Sequence, residues 1–484
     1  MSDDASTPDQ GAAPAPAAPA AGRRRAAWLL AGLAAAAALA FGLGRTPGPA
    51  GDAAATPGPL ATAHAAAPAP TETAAAAEGS APADRPPGGG IRPDDLLAAA
   101  AGTASPTDAR LLRIYGLIAT GRAQEALDAA ARLTADYPQF GLAQLVYADL
   151  LTTLTRPAEG FGASAAAQRA EAAERLKELV AEARARVGSA QRPAAGLVPA
   201  QFVRIDPSVQ HAVAVDVSRS RLYVFENTPQ GLVLKRDYYS SVGKLGMAKQ
   251  VEGDLRTPLG VYFVTGRVPE ARLRQPALKD LYGAAALVLN YPNQYDQLRG
   301  RTGSGIWLHG VASNLFSRAP LATDGCVALA NPDLLEMATF IERQETPILI
   351  AERLEWVRPE AAQQRQAGFL RAFDAWKAAR SAADAGAQQR FYADQRTVVS
   401  TVPEIAARST ERQRALMPVA FTPAAPNASI DAVTVLAWRD DRDVVVVTFT
   451  ETTPGGNRPR LKRQYWLEQD GQWQVVFEGS LGQA

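Results

Sequence analysis

The sequence predicts a multidomain chain: an N-terminal membrane helix and disordered linker, a small α-helical module, a mostly-β domain and a C-terminal α+β unit. Three observations lead there. An uncharged run from Ala26 to Gly44 follows a basic triplet, the hydrophobic period is helical up to about residue 187 and then alternates through 212–351, and a long amphipathic helix precedes four strand-like runs near the C-terminus. The 484 residues suffice for about three domains of ~150 residues, and a hydrophobic content of 47% can fill their cores. With Lys+Arg at 50 and Asp+Glu at 49 there is no basic surplus, which argues against nucleic acid as a partner.

Residues 1–25 are small, polar and proline-rich and read as a cytoplasmic disordered tail ending in Arg23-Arg24-Arg25. At ~1.5 Å per residue the run 26–44 reaches ~28 Å, close to the hydrocarbon thickness of a bilayer, so it is assigned as a transmembrane signal anchor. The basic triplet keeps the N-terminus inside, which places the remainder in the periplasm, held at the inner membrane. Cleavage as a signal peptide near residues 44–55 is the alternative. Residues 45–93 are Ala, Pro, Gly and Thr with few large apolar side chains and read as a disordered linker, His64 included.

The helical module spans 94–190. Leu111, Leu112, Tyr115 and Ile118 share one helix face, Gly121 breaks the helix, Ala126, Leu127 and Leu133 resume the pattern and Pro138 stops it. The spacing of Gly121, Ala126 and Pro138 matches a tetratricopeptide-like unit, and one such unit cannot bury its own faces. It reads either as a hairpin packed on the next domain or as a surface for a homodimer or protein partner. The charged, alanine-rich run 168–187 suits an exposed or interdomain helix.

Between 200 and 356, short apolar runs at 212–217, 221–225, 233–240, 261–265, 286–290, 306–309 and 347–351 are separated by Gly, Pro, Asn and Asp turns. From 360 to 484, a helix carrying Phe369, Leu370, Phe373 and Trp376 and a Phe391-Tyr392 turn precede strands near 429–438, 442–450, 459–468 and 472–478.

The chemistry concentrates in Gly303–Asn331. Cys326 is the single cysteine, and His309 lies seventeen positions upstream (326 − 309) at the end of an apolar run. A lone thiol cannot form an intramolecular disulfide. Taken alone it is more often an inert core residue than a nucleophile, but apolar packing positions seldom follow Thr323-Asp324-Gly325. An imidazole within reach takes the thiol proton and stabilises the thiolate, and backbone N–H groups around Gly325 and Cys326 suit an oxyanion, so the reaction class is acyl transfer through a thioester. Three histidines and one cysteine do not assemble a metal site readily, so no metal and no cofactor are expected. His211 reads as a strand-edge residue, and Tyr291, Asn293, Tyr295 and Trp307 as core or groove lining.

The His-Gly pair followed by the Thr323-Asp324-Gly325-Cys326 turn resembles the signature of YkuD-type L,D-transpeptidases. V-D-V-S-R-S-R-L-Y-V-F-E (Val215 to Glu226), K-Q-V-E-G-D-L-R-T-P-L-G-V-Y (Lys249 to Tyr262) and L-V-L-N-Y-P-N (Leu287 to Asn293) agree with it, over roughly residues 205–355. The resemblance implies Cys326 as nucleophile, His309 as general base and acid and Gly325 as the oxyanion turn. The substrate implied is a peptidoglycan stem peptide, attacked at the carbonyl of the L-centre of diaminopimelate. Gly310, Thr323 and Asp324 then fall beside the substrate. Two positions depart from the family. Many members carry His at the place of Asp324 and Arg at the place of Ala328, and Arg256 and Arg301 are the expected replacements for the lost cation. The C-terminal run G-Q-W-Q-V-V-F-E-G and the A-W-K helix are similar to the SnoaL-like (nuclear-transport-factor-like) cone. That domain order resembles the cell-shape L,D-carboxypeptidases, so both transfer to an amine (cross-linking) and hydrolysis (tetrapeptide trimming) are expected of the site. A non-catalytic cell-wall-binding scaffold is the alternative.

Overall fold

The computed structural model describes residues 91–154, 160, 170–278, 280–392, 427–455 and 458–481. The expected tail (1–25), the expected membrane span (26–44) and nearly all of the expected linker (45–93) lie outside them. Among the described residues no helix is long and apolar enough to cross a membrane.

The N-terminal unit comprises α1 (Pro93–Ala101), α2 (Pro106–Ala119), α3 (Ala123–Asp136), α4 (Gly141–Thr153) and α5 (Ala170–Gly188). Ser105 caps α2, its side chain accepting from the Asp108 N–H at 3.4 Å, and Pro106 fits the first turn because no N–H is needed there. Gly121, at φ +75°, makes the turn into α3. The apolar stripes bury Leu111, Leu112, Ile114, Leu133, Phe140 and Val146 in one core. That core does not close on itself. Phe316, from the β domain, belongs to it, stacked on Phe140 with ring centroids 4.1 Å apart and edge-on to Tyr137 at 5.2 Å.

A buried ionic seam joins the same two units. Asp108 on α2 accepts from Arg186 of α5 at 2.8 Å and from Arg221 at 2.5 Å. Arg221 also pairs with Asp237, Arg192 reaches Asp237 at 2.8 Å, and Arg186 reaches Glu182 at 2.8 Å. Three guanidiniums thus balance three carboxylates, as charges withdrawn from water require. Burial alone would raise the Asp108 carboxyl, but Arg221, Arg186 and Arg192 hold it well below the usual carboxylate range. The charged helix expected near 168–187 is therefore an interdomain helix.

The β domain contains β1 (Val198–Pro199), β2 (Phe202–Arg204), β3 (His211–Asp216), β4 (Arg221–Thr228), β5 (Gly231–Tyr239), β6 (Val242–Gly243), β7 (Gly260–Pro269), β8 (Ala285–Leu289), β9 (Trp307–His309), β10 (Leu321–Thr323), β11 (Val327–Ala328), β12 (Pro347–Ala351) and β13 (Trp356–Val357). Helices α6 (Glu270–Leu273), α7 (Gln294–Leu298) and α8 (Asn331–Met337) are interspersed. Eight strands form one sheet in the order β11-β9-β8-β7-β12-β3-β4-β5. Its ends curl toward each other: Ser241, just past β5, exchanges backbone hydrogen bonds of 2.9 Å in both directions with Ala328 of β11. Val213, Val215, Leu222, Leu308, Val327 and Ile348 pack on one face, while Ala212, Ala214, Phe225, Phe263 and Leu349 are buried on the other. Burial on both sides explains why β3 and β12 read as continuous apolar runs. Each fully buried aliphatic side chain contributes ~1.5–3 kcal/mol.

The second face is covered by the C-terminal unit, made of α9 (Pro359–Arg365), α10 (Ala367–Ser381), α11 (Ala385–Gln389) and the antiparallel meander β14 (Ser429–Arg439), β15 (Asp443–Thr452), β16 (Arg460–Gln469) and β17 (Gln472–Ser480). Phe369, Phe373 and Trp376 of α10 pack on one side of it, with Val435, Phe449 and Trp466. Leu436, Trp438, Tyr465 and Leu467 pack on the other, against the β domain. Strand β2 adds to the edge of this meander, pairing with β14 through Leu436↔Phe202 and Val435↔Arg204.

Candidate active site

Strands β9 and β11 run parallel with Val327 opposite Leu308 and Ala328 opposite His309. Continuing that register by one residue puts Cys326 opposite Trp307, and the Trp307 N–H donates to the Cys326 Sγ at 3.4 Å. Side chains of aligned residues project to the same face, so Cys326 and His309 stand on one face, two residues apart along the ladder and one strand apart across it. That offset corresponds to ~8 Å between Cα atoms, a diagonal that a thiol and an imidazole can bridge. His309 is buried and Cys326 half-buried, with the Cys326 thiol donating to the Gly305 carbonyl at 3.4 Å.

The imidazole is oriented by backbone. Its Nδ1 donates to the Gly310 carbonyl at 2.5 Å, which leaves Nε2 with the lone pair. The ring of Tyr282 meets His309 edge-on at 5.0 Å and Trp307 at 4.9 Å. Burial depresses His309 to about 4; the Gly310 hydrogen bond opposes this and the Arg318 charge adds to it. Burial pushes the Cys326 thiol up to about 11, offset in part by the Trp307 N–H. The resting pair is therefore a neutral thiol beside a neutral imidazole.

The turn before the cysteine is built by Thr323. Its hydroxyl donates to the Cys326 carbonyl at 2.6 Å and accepts from the Gly325 N–H at 3.2 Å. The Gly325 N–H is thereby occupied, and among the described residues the Cys326 N–H has no partner; it is the donor left for an oxyanion. Gly325 itself has φ +123°, and a Cβ there would lie 2.7 Å from the Arg256 carbonyl, so only glycine fits.

The other expected site residues divide into those at the cleft and those elsewhere. Gly310 lends its carbonyl to His309 and its missing side chain to Asn331, whose Oδ1 accepts from the Ala284 and Val311 N–H groups at 3.0 and 3.1 Å. Asp324 is exposed and pairs with Lys244 at 2.9 Å, so its carboxylate is engaged at the surface and not on His309. Arg256 is exposed and donates to the Met247 carbonyl at 3.1 Å, while its own carbonyl abuts Gly325. Arg301, expected as a substrate cation, is instead buried at the seam with the C-terminal meander, 2.8 Å from Asp296 and 2.7 Å from Asp440. A guanidinium buried in that seam is held away from Cys326 by its two carboxylate partners. Tyr291 and Tyr295 are buried, and Asn293 caps α7 by accepting from the Asp296 N–H at 2.9 Å. Sequence reasoning missed Tyr282, Asn331 and Arg318. Asn331 carried a signal, its place at the head of the helix after C-V-A-L-A; Tyr282 and Arg318 carried none. Among the described residues no three His, Cys, Asp or Glu side chains converge as a metal site would need.

Residues 210–350 match the YkuD family model, described as the L,D-transpeptidase catalytic domain. No curated protein matches the chain. Among solved structures it is similar to Bd1075 of Bdellovibrio bacteriovorus, with 23% identity over 60% of this chain and 100% of that one and a TM-score of 0.45. It is also similar to the helical cell shape determining protein Pgp2 of Campylobacter jejuni, with 20% identity over 56% of this chain and 91% of that one and a TM-score of 0.42. An L,D-transpeptidase from Mycobacterium smegmatis matches at 16% identity over 29% of this chain and 58% of that one, with a TM-score of 0.20. Cys326 and His309 accordingly lie within the stretch that matches the L,D-transpeptidase catalytic domain of the YkuD family.

Proposed function

We propose that this chain modifies peptidoglycan by cysteine acyl transfer on stem peptides. The observation that carries the reading is the register of β9 and β11, which sets the sole thiol, on a half-buried residue, on one face with His309. As the Cys326 Sγ attacks the L-centre carbonyl of diaminopimelate, its proton passes to His309 Nε2 and the carbonyl oxygen turns toward the Cys326 N–H. The C–N bond to the terminal D-alanine breaks, and the leaving amine takes the proton from Nε2. Water or an acceptor amine then gives a proton to Nε2 and attacks the thioester carbonyl; the C–S bond breaks and the Nε2 proton passes to the departing sulfur, restoring the thiol. With water the product is a trimmed tripeptide; with the amine of a second stem it is a cross-link. On this reading residues 26–44 hold the enzyme at the inner membrane with the cleft in the periplasm.

Incubation of the full-length protein in detergent with disaccharide-tetrapeptide tests this. Tripeptide alone means trimming, and dimers joined through two diaminopimelates mean cross-linking. Unchanged substrate, or equal turnover by Cys326→Ala, removes the catalytic reading and leaves the wall-binding scaffold.

A further inference from the structure

Arg318 lies on the connection between β9 and β10, the segment that links the base to the nucleophile, and that connection is held from several sides. Phe316 is inserted in the helical core, and the Ser317 Oγ donates to Glu182 at 2.6 Å. The Arg318 carbonyl accepts from the Tyr239 hydroxyl at 2.8 Å and from the Ser241 Oγ at 3.2 Å. Its backbone position is thus fixed by the helical unit and by the β domain itself. The guanidinium is half-buried and donates through Nη2 to the Leu281 carbonyl at 3.0 Å, beside Tyr282, whose ring contacts His309 and Trp307.

Unlike Arg186, Arg221, Arg299 and Arg301, this arginine is in no ion pair among the described residues. The nearest carboxylate whose charge acts on it, Asp324, makes no direct pair with it and is itself bonded to Lys244 at 2.9 Å. A partly desolvated cation with no carboxylate in direct contact is stabilised by a ligand that supplies one. Its field reaches the chemistry: the Cys326 thiol, the His309 imidazole and the Tyr282 phenol are all shifted downward by it. Ala328 offers no cation, Arg301 is sealed elsewhere, and Arg256 is directed at Met247.

We propose that Arg318 binds the free C-terminal carboxylate of the donor peptide, one residue beyond the carbonyl attacked by Cys326, and so makes the enzyme require a donor that ends there. Adjacent Cα atoms are ~3.8 Å apart, so a terminal carboxylate at that position lies on the order of 5 Å from the attacked carbon. A fork of N–H donors suits it better than a point charge does. The inference rests on Cys326 being the acylating nucleophile. It implies preference for a stem ending in one D-residue after diaminopimelate over a stem extended by another residue or capped as an amide.

The test compares kcat/KM of the full-length protein and of Arg318→Gln and Arg318→Lys on disaccharide-tetrapeptide and on the same donor with its terminal carboxylate amidated. Wild type is expected to favour the acid by about 10- to 100-fold, chiefly through KM. Arg318→Gln should lose that preference, falling on the acid to near the wild-type rate on the amide, and Arg318→Lys should restore part of it. If Arg318→Gln keeps the full acid preference, or falls equally on both donors as a purely structural defect would, the assignment is overturned. Equal turnover of both donors by wild type overturns it while leaving the proposed function standing. No turnover of either removes the catalytic reading, and the role of Arg318 with it.

Discussion

Because the chain has a single cysteine, the protonation state of the Cys326 thiol is directly measurable by alkylation. The perturbation is pH. With the thiol raised to about 11, thiolate is about one part in 10⁴ at pH 7, and with His309 near 4 the imidazole is almost wholly neutral there. At about 1.36 kcal/mol per decade of proton affinity, moving the proton from sulfur to imidazole in the resting enzyme costs about 10 kcal/mol. Iodoacetamide should therefore modify Cys326 slowly at neutral pH, with a rate that climbs through pH 9 and levels only near 11. His309→Ala should leave that profile nearly unchanged, since a neutral ring contributes no charge to be lost. The ultraviolet absorbance of the thiolate gives an independent titration. A profile already level at or below pH 7, and abolished by His309→Ala, would mean a preformed thiolate–imidazolium pair and would refute the argument from burial.

Phe316→Ala should cost ~3–5 kcal/mol of stability in urea unfolding and should slow acylation of Cys326 as well, because one ring serves the helical core and the catalytic connection; lost stability with an unchanged acylation rate counts against the link. Asp333, buried on α8, is raised to about 7 by burial and by the Asp108 charge, against Arg186 and Arg221. Its folded value lies above its unfolded one, so the contribution is full below about pH 4 and lost as pH rises through 7. Asp333→Asn should then stabilise the chain by up to about 4 kcal/mol at pH 8 and progressively less toward pH 4, and equal melting shifts at pH 5 and 8 would contradict this.

Local pattern located most of the strands and the chemistry. The seven short apolar runs of the β domain and the four C-terminal runs coincide with β3–β5, β7–β9, β12 and β14–β17, because burial by a neighbouring layer selects apolar residues on one or both faces. The two-residue strands β6 and β11 are too short to show a period, yet they hold the nucleophile in place. Cations were the least legible part. Arg301 sits in a glycine-flanked stretch that reads as exposed, and its fate is decided by Asp440, 139 residues later in the chain. Arg318 sits in an ordinary S-R-A-P run, and its lack of a direct ion pair among the described residues is a fact of three dimensions. The same holds for the Gly325 N–H, which pattern assigns to an oxyanion and Thr323 already occupies.

The partnership of β2 with β14 bears on how the protein is made. A strand that emerges ahead of the whole β domain finds its neighbour only more than two hundred residues later, with the Gln201 carbonyl accepting from Ala437 at 2.9 Å and the Asp206 N–H donating to Thr434 at 3.1 Å. Since domains tend to fold as they leave the ribosome, the outer layer over Phe225 and Phe263 must stay bare until translation is nearly finished. A polypeptide terminated before β14 would be released with an unpaired strand edge and an uncovered apolar sheet, so nonsense mutations late in the reading frame should yield aggregates and not a smaller working enzyme.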